Sequence, residues 1–148
     1  MSKAGDLPFE LTLHVRDHCL CMHVRRAARA LARRYDEALR PAGLTNGQFS
    51  LLMALNRPAP PAMGDVAALL AMDRTTLTAN LKPLERRGLV AVAADPADKR
   101  SRRLALTEAG RRVLAGAVPA WLRAQAENES LMEGIEPDRV RGVLRALS

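Results

Sequence analysis

The sequence predicts a mainly α-helical protein with one small β-hairpin. Three observations lead to this prediction. Apolar residues recur at helical spacing over most of the chain, helix-start signals precede several of these stretches, and only two short segments alternate like strands. The intervals between turn signals are all short, so we expect one domain with helical arms.

Composition limits the classes of function. The 148 residues carry a formal net charge of +7, a balance typical of proteins that bind a polyanion. Aromatic residues, which stack on the bases of RNA and single strands, are scarce, so duplex DNA is favoured among the polyanions. A basic enzyme is the alternative from charge alone, but we find no phosphate-binding glycine loop and no nucleophile elbow. We therefore predict neither catalysis nor a cofactor.

Targeting signals also bear on the location of the protein. The N-terminal residues lack the apolar core of a signal peptide, and no apolar run approaches the roughly 18 residues of a membrane span. Cys19 and Cys21 are too close on one helix to bridge each other, which fits a reducing compartment. The sequence thus predicts a soluble, cytoplasmic protein.

A long first helix is predicted over residues 11–40. One apolar seam runs along it, and five arginines lie mostly on the other side. A helix of about 30 residues spans about 45 Å. A domain of this size cannot pack around that length, so we expect part of the seam to meet another chain.

Local signals mark each of the shorter elements that follow. Thr45 and Asp73 are N-cap candidates, Gly88 is a helix stop, and Thr107 begins a helix whose apolar face is interrupted by Pro119. Helices are predicted at 45–55, 63–71, 74–87, 107–131 and 137–147, and strands at 89–94 and 102–106.

The order of these elements is that of a winged helix-turn-helix. Only residues 71–73 separate the third helix from the fourth, and the hairpin behind them is the wing. The outward face of the fourth helix is small, hydroxylic and basic, which suits a helix in a major groove, although solvated faces of this kind are also common. That face comprises Thr75, Thr78, Ala79, Lys82 and Arg86.

Four basic side chains lie within the six residues 98–103, in the loop between the two strands and at the start of the second strand: Lys99, Arg100, Arg102 and Arg103. Exposed there, they would reach the sugar-phosphate backbone or a narrow minor groove. Asp98 repels phosphate, so we expect it to hold Arg100 through a bidentate ion pair and to aim it. The alternative is ordinary surface charge.

Three stretches of the chain resemble the MarR family of bacterial transcription regulators. They are LRPAGLTNGQFSLLMAL, DRTTLTANLKPLERRGLV and, above all, DPADKRSRRLALTEAG. The most specific part is the spacing of Asp98 and Arg100 from the residues that follow them, Leu104, Leu106, Thr107 and Gly110. The resemblance extends from about residue 20 to residue 121.

The resemblance implies a fold with two parts and an obligate homodimer. Residues 7–44 and 107–148 would form a helical dimerisation region, and residues 45–106 a winged helix lobe that binds DNA. Arg100 would enter the minor groove, steadied by Asp98, and the paired half-sites would make the operator near-palindromic. Residues implied to reach the major groove are Arg74, Thr75, Thr76, Thr78 and Lys82.

The resemblance further implies a repressor that a small phenolic or lipophilic anionic effector releases from DNA. The effector pocket would lie between the dimerisation helices and the DNA-binding lobe. Arg26 is the residue suited to a carboxylate. Candidate pocket residues are His18, Met22, Arg26, Met53 and Trp121.

The histidines and cysteines of the first helix allow two further interpretations. The branch of the family that senses organic hydroperoxides has a reactive cysteine followed fourteen residues later by a tyrosine, a spacing that Cys21 and Tyr35 match. Asn46 stands where that branch usually has a second tyrosine. His14, His18 and Cys21 share one helix face and have a spacing that permits zinc, but we assign no metal.

A non-specific architectural DNA-binding protein is the closest rival to a sequence-specific regulator. Such a protein would distinguish little between sequences. Asp98 favours the specific regulator, because a wing that only neutralised phosphate would not need a carboxylate.

Overall fold

A computed structural model describes residues 5–148 of the chain. Seven α-helices and one hairpin account for most of these residues. They are α1 (Phe9–His18), α2 (Leu20–Leu39), α3 (Asn46–Leu55), α4 (Met63–Leu69), α5 (Arg74–Arg86), β1 (Val90–Ala94), β2 (Arg102–Leu106), α6 (Glu108–Ser130) and α7 (Pro137–Leu147), with a 3-10 turn at Arg40–Ala42. The mainly α-helical prediction with one hairpin is confirmed. No helix among residues 5–148 is long and apolar enough to cross a bilayer.

The first helix of the prediction is two helices in the structure. Cys19 adopts an extended conformation (φ −70°, ψ 108°) and separates α1 from α2. Imidazoles bond to carbonyl oxygens on both sides of this break, since Nδ1 of His18 donates to His14 and Nδ1 of His23 donates to Cys19, each at 2.8 Å. The prediction of one continuous helix was therefore wrong, because helical periodicity persists across a break of one residue.

The chain divides into two compact units between Arg34 and Tyr35. The second unit contains the hydrophobic core, in which side chains from α3, α4, α5, the hairpin and α6 are packed together. Burial of each such leucine contributes roughly 1.5–3 kcal/mol. The fully buried large side chains are Leu39, Leu51, Leu52, Leu55, Val66, Leu77, Leu81, Leu84 and Leu104.

Side-chain caps begin three of these helices, as the sequence predicts. Thr45 forms a capping box with Gln48 at the start of α3. Asp73 accepts a hydrogen bond from the Thr76 N–H at the start of α5, and Thr107 accepts one from the Gly110 N–H at the start of α6.

The turn between α4 and α5 confirms the predicted helix-turn-helix. Ala71 has a left-handed conformation (φ 52°), and the N–H of Met72 bonds to the carbonyl of Ala67 at 2.9 Å, which closes the end of α4. Gly88 is also left-handed (φ 70°) and follows α5 at the position where the sequence predicts a stop.

The hairpin behind α5 is antiparallel, with Val90 opposite Leu106 at its base and Ala94 opposite Arg102 near its tip. An isolated bridge between Ala62 and Arg103 adds a third segment to its edge. This bridge joins the hairpin to the chain that leads into α4, so the wing and the helix-turn-helix are directly connected.

Candidate nucleic-acid interface

A shallow exposed groove runs along α5. It encloses about 340 Å³ and is bounded only by polar or small side chains. The opposite side of α5 is buried through Leu77, Leu81 and Leu84, so the helix cannot turn without exposing its core face. The groove residues are Arg74, Thr75, Thr78, Ala79 and Lys82. Four of the five implied major-groove residues therefore share one accessible surface.

Thr76, the fifth, is directed to the N-cap of α5. Its N–H donates to Oδ1 of Asp73 at 2.7 Å and its hydroxyl donates to Oδ2 at 3.0 Å. The pKa of Asp73 lies below its usual value because these bonds, first the N–H of Thr76 and then its hydroxyl, stabilise the carboxylate. Thr78 donates its hydroxyl hydrogen to the carbonyl of Arg74 at 2.8 Å, which leaves the hydroxyl oxygen able to accept.

At the tip of the wing, Lys99, Arg100 and Arg102 are exposed. Asp98 accepts a hydrogen bond from the main-chain N–H of Arg100 at 3.0 Å. Within residues 5–148 no ion pair joins Asp98 to the Arg100 guanidinium, which differs from the predicted bidentate pair. The local bond forms because an aspartate two residues before an N–H closes an Asx turn, so Asp98 shapes the tip.

The fourth basic residue of the wing, Arg103, lies on β2 opposite Ala93, next to the point where the loop joins the strands. Nε of Arg103 donates to Oδ2 of Asp95 at 2.9 Å, and Nη1 donates to the carbonyl of Pro60 at 3.2 Å. Asp95 is only 7% exposed. The structure thus separates Arg103, which is engaged within the protein, from the three exposed basic side chains of the hairpin.

Two hydrogen bonds of Thr107 connect the end of the hairpin to both neighbouring helices. Its hydroxyl donates to the carbonyl of Gly88 at 2.7 Å, and the same oxygen accepts from the N–H of Gly110 at 3.0 Å. The end of α5, the hairpin and the start of α6 are therefore held at a single residue.

One cavity near this joint combines a cation with apolar walls. It encloses about 290 Å³ between α3, β2 and α6, and the guanidinium of Arg111 donates to Oδ1 of Asn56 at 3.3 Å beside it. Met53, a predicted pocket residue, is part of its wall. The remaining walls are Leu106, Leu114, Ala115 and Val118.

A second cavity, of about 280 Å³, has aromatic walls and contains Trp121, another predicted pocket residue. The ring of Trp121 stacks on Phe49 with centroids 5.8 Å apart and on Tyr35 with centroids 6.4 Å apart. The Tyr35 hydroxyl donates to Gln125, and burial of the ring raises the pKa of that hydroxyl. The other wall residues are Leu39, Asn46 and Ser50.

The remaining predicted pocket residues, His18, Met22 and Arg26, belong to the first unit of the chain. Cys19 is half-buried and Cys21 exposed, and both are free thiols. The rings of His14 and His18 stack with centroids 4.2 Å apart. In the part of the chain from residue 5 onward, no three His, Cys, Asp or Glu side chains come together as a metal site would require, so the permitted zinc set is not assembled.

Comparisons with known proteins agree with this architecture. A model of the MarR family matches residues 42–101, which contain the helix-turn-helix and the first strand and loop of the hairpin. The transcriptional regulator HosA of Escherichia coli O111:H- is 33% identical over 106 residues, which are 70% of this chain and 77% of HosA. The chain belongs to the MarR family.

Solved structures of MarR-family proteins extend the comparison to the whole fold. The M. tuberculosis regulator MosR, crystallised with DNA, is 45% identical, with a TM-score of 0.80 over 88% of this chain and 93% of MosR. CouR of Rhodococcus jostii RHA1, crystallised with p-coumaroyl-CoA, is 28% identical, with a TM-score of 0.69 over 88% of this chain and 90% of CouR. The winged helix-turn-helix prediction is confirmed.

Some curated relatives are longer than the matched region. The transcriptional activatory protein BadR of Rhodopseudomonas palustris is 36% identical over 97 residues, which are 64% of this chain and 55% of BadR. The regulator TtmR of Methylorubrum extorquens is also 36% identical, over 95 residues that are 49% of its length. The chain thus spans about half the length of these two relatives. The MarR family consists of transcription regulators, which are not enzymes.

Two residues beside the MarR-type wing and helices were missed by sequence reasoning, Asp95 and Arg111. Asp95 stands next to Pro96 and reads as part of a turn, and only the hairpin register places it next to Arg103. Arg111 reads as one of two exposed arginines at the start of α6. Its distance from Asn56, 55 positions earlier in the chain, hides their contact from any local pattern.

Proposed function

We propose that this protein is a sequence-specific transcription regulator that binds duplex DNA as a homodimer. Its α5 would lie in the major groove, and the tip of its wing would contact the adjacent backbone or minor groove. A small lipophilic anion would release it from a near-palindromic operator, so that it acts as a repressor. The observation that carries the proposal is the groove on α5 beside a hairpin with three exposed cations.

The groove on α5 has the chemistry that base recognition requires. Ala79 is small and lets the helix backbone approach base edges, while Thr75 and Thr78 offer a hydroxyl and a methyl group for bases and thymine methyls. Arg74 and Lys82 stand at the two ends of the groove, where phosphates flank a helix in the major groove. The alternative is that this surface is an ordinary solvated helix face that binds no DNA.

The wing supports the proposal through the exposure of Lys99, Arg100 and Arg102. The Asx turn of Asp98 restrains the main chain of the tip, so less of its conformational freedom is lost when these side chains bind DNA. MosR, a relative with the same fold, has been crystallised with DNA. We propose that Arg100 of the present protein enters the minor groove of its duplex.

Apolar surface that a monomer would leave in water supports the homodimer. On α7 and the turn before it, Ile135, Val143, Leu144 and Leu147 are exposed, and the first unit exposes Phe9, Leu11, Val15, Leu20 and Val24. Exposed patches of this extent mark interaction sites. We propose that residues 7–44 and 107–148 form the dimerisation region and residues 45–106 the DNA-binding lobe. Sedimentation equilibrium should give the mass of a dimer, and a monomer at micromolar concentration would contradict this part.

The cavity beside Arg111 supports an anionic effector. Its apolar walls suit an aromatic or aliphatic body, and the exposed guanidinium suits a carboxylate. CouR binds p-coumaroyl-CoA, which shows that a relative of this fold accepts an aromatic acyl group. Two of the residues predicted for the effector pocket line these cavities. Met53 lines the Arg111 cavity, and Trp121 lines the aromatic cavity.

Selection of bound sequences from a random pool of duplexes tests the proposed function. We expect a near-palindromic motif with half-sites about one helical turn apart, bound at least about 10³-fold more tightly than unselected duplex. If the affinities for selected and unselected duplex were nearly equal, the protein would be an architectural DNA-binding protein and not a sequence-specific regulator.

Thiol-based sensing is a second candidate, favoured by the exposure of Cys21. In that case an organic hydroperoxide would oxidise Cys21 and release the protein from DNA. Cys21→Ser should bind the selected duplex as the wild type does and resist cumene hydroperoxide. Release of both proteins by the peroxide would exclude Cys21 as the sensor.

A further inference from the structure

The end of the hairpin where the loop joins β1 and β2 is tied to the segment that precedes α4 through both the side chain and the main chain of β2. Arg103 bonds to the Asp95 carboxylate at 2.9 Å and to the Pro60 carbonyl at 3.2 Å. The next main-chain N–H, that of Leu104, bonds to the carbonyl of Pro61 at 2.9 Å. Residues 60–62 thus lie along the edge of the hairpin and run from there into the helix-turn-helix.

Hydrogen bonds fix the position of Asp95 as well as that of Arg103. Its Oδ1 accepts from the N–H of Ala97 at 2.9 Å, and its own N–H donates to the carbonyl of Ser101 at 3.1 Å, which closes the loop. The pKa of Asp95 lies below its usual value because the Ala97 N–H and then the Arg103 guanidinium stabilise the carboxylate more than burial penalises it. The Asp95 carboxylate is therefore ionised at neutral pH.

Asp95 and Arg103 are placed where they can restrain the loop that carries the exposed cations. Asp95 begins the loop, Arg103 follows it, and the exposed cations Lys99 and Arg100 lie between them. A rotation of the loop about its base would displace these cations relative to the groove on α5. The guanidinium opposes such a rotation, because its planar donors face Asp95 on one side and Pro60 on the other.

We propose that Arg103 is a positioning residue that, with Asp95, fixes the wing relative to α5, and that it is not a DNA contact. This inference rests on the proposed function and assigns the four wing cations two roles. Lys99, Arg100 and Arg102 face the duplex, and Arg103 sets where they stand. Recognition of one sequence needs the DNA contacts of the wing and those of α5 to be in a single register, whereas binding to arbitrary phosphates does not.

The ratio of affinities for selected and unselected duplex separates positioning from contact. Loss of a phosphate contact weakens both affinities alike and leaves the ratio unchanged. Loss of positioning lowers the affinity for the selected duplex and spares the affinity for unselected duplex. The two explanations also differ for Asp95→Asn, because removal of a negative charge near phosphate would strengthen binding if charge alone mattered.

The experiment compares Asp95→Asn, Arg103→Met and the double variant by fluorescence anisotropy on both duplexes, after thermal unfolding has shown each to be folded. We expect the ratio to fall about tenfold in each single variant, and the double variant to be no worse than the worse single one, because the residues form one unit. Asp98→Asn is the control, since it makes the same charge change and keeps the Asx turn, and should bind both duplexes slightly more tightly.

An unchanged ratio, or tighter binding of the selected duplex by Asp95→Asn, would overturn the proposal. A wild-type ratio near one would instead contradict the proposed function, and amide hydrogen exchange then decides the inference without DNA. The N–H of Leu104, bonded to Pro61, should exchange about tenfold faster in Asp95→Asn than in Asp98→Asn. Equal exchange in the two variants would show that the pair does not hold the wing.

Discussion

The hydroxyl of Thr107 lies 2.7 Å from the carbonyl oxygen of Gly88 and donates a hydrogen bond to it across the base of the hairpin. Gly88 follows α5, the helix proposed to lie in the major groove, and Thr107 caps α6. One side chain thus joins the helix that would read DNA to the helix that would contribute to the dimer.

Substitution of Thr107 tests this joint. Thr107→Ala removes both the N-cap acceptor and the bond to Gly88, and we expect the free energy of unfolding to fall by about 1–2 kcal/mol. Thr107→Ser keeps the hydroxyl and should lose well under half of that. Urea unfolding measures both values, and equal losses in the two variants would mean that the methyl group, not the hydroxyl, is what matters.

Gly110 tests the close packing of α6 against the hairpin. A Cβ atom at this position would lie 2.2 Å from the carbonyl oxygen of Leu89 and 2.8 Å from Cδ1 of Leu106, so the backbone must shift to admit it. We expect Gly110→Ala to lower the free energy of unfolding by about 1–3 kcal/mol. Gly116→Ala, in the same helix with no atom near the added methyl group, should raise it by up to about 1 kcal/mol. A stable Gly110→Ala protein would contradict the packing described.

The cap of α5 predicts a dependence of stability on pH. Hydrogen bonds from Thr76 hold the pKa of Asp73 below its unfolded value, so its contribution is present above about pH 4 and is lost as the pH falls through the folded pKa. Asp73→Asn keeps a good N-cap without the charge. Between pH 6 and pH 2 the wild type should therefore lose more stability than this variant, as thermal unfolding at each pH would reveal. Parallel curves would remove the ionised cap from the account.

Arg111 is expected to hold the carboxylate of an effector. Phenylacetate, as a probe of this class, should shift the methyl resonance of Met53 in spectra of protein labelled at its methionine methyl groups, and phenylacetamide should not. Arg111→Gln should weaken the phenylacetate shift about tenfold or more. Arg112→Gln, at the neighbouring exposed arginine, should leave it unchanged. Equal effects of the two substitutions would exclude the cavity as an anion site.

Local chemistry explains which parts of the molecule the sequence could predict. The caps at Thr45, Asp73 and Thr107 and the stop at Gly88 act within a few residues, so the order of helices and the hairpin followed from them. The face of α5 followed from its leucines, because three buried positions determine which side of a helix is exposed.

Long-range pairing explains what the sequence missed. Arg103 has the same local context as Arg102, and only the hairpin register and the nearby Pro60 distinguish the arginine that bonds within the protein from the one that is exposed. Arg111 borders its cavity beside Asn56, a contact between residues that are distant in the chain. The break at Cys19 contains neither proline nor glycine, so no local signal predicts it. The aspartate that anchors an arginine is Asp95, whereas Asp98 is occupied by the local turn.

The salt dependence of operator binding tests the central claim, that the wing and α5 form one surface for duplex DNA. The affinity of Arg100→Ala for the selected duplex is to be measured from about 50 to 200 mM salt beside wild type and Arg112→Ala. The account predicts weaker binding by Arg100→Ala and a slope of log affinity against log salt that is smaller by about one. A slope and an affinity equal to those of wild type and Arg112→Ala would contradict it.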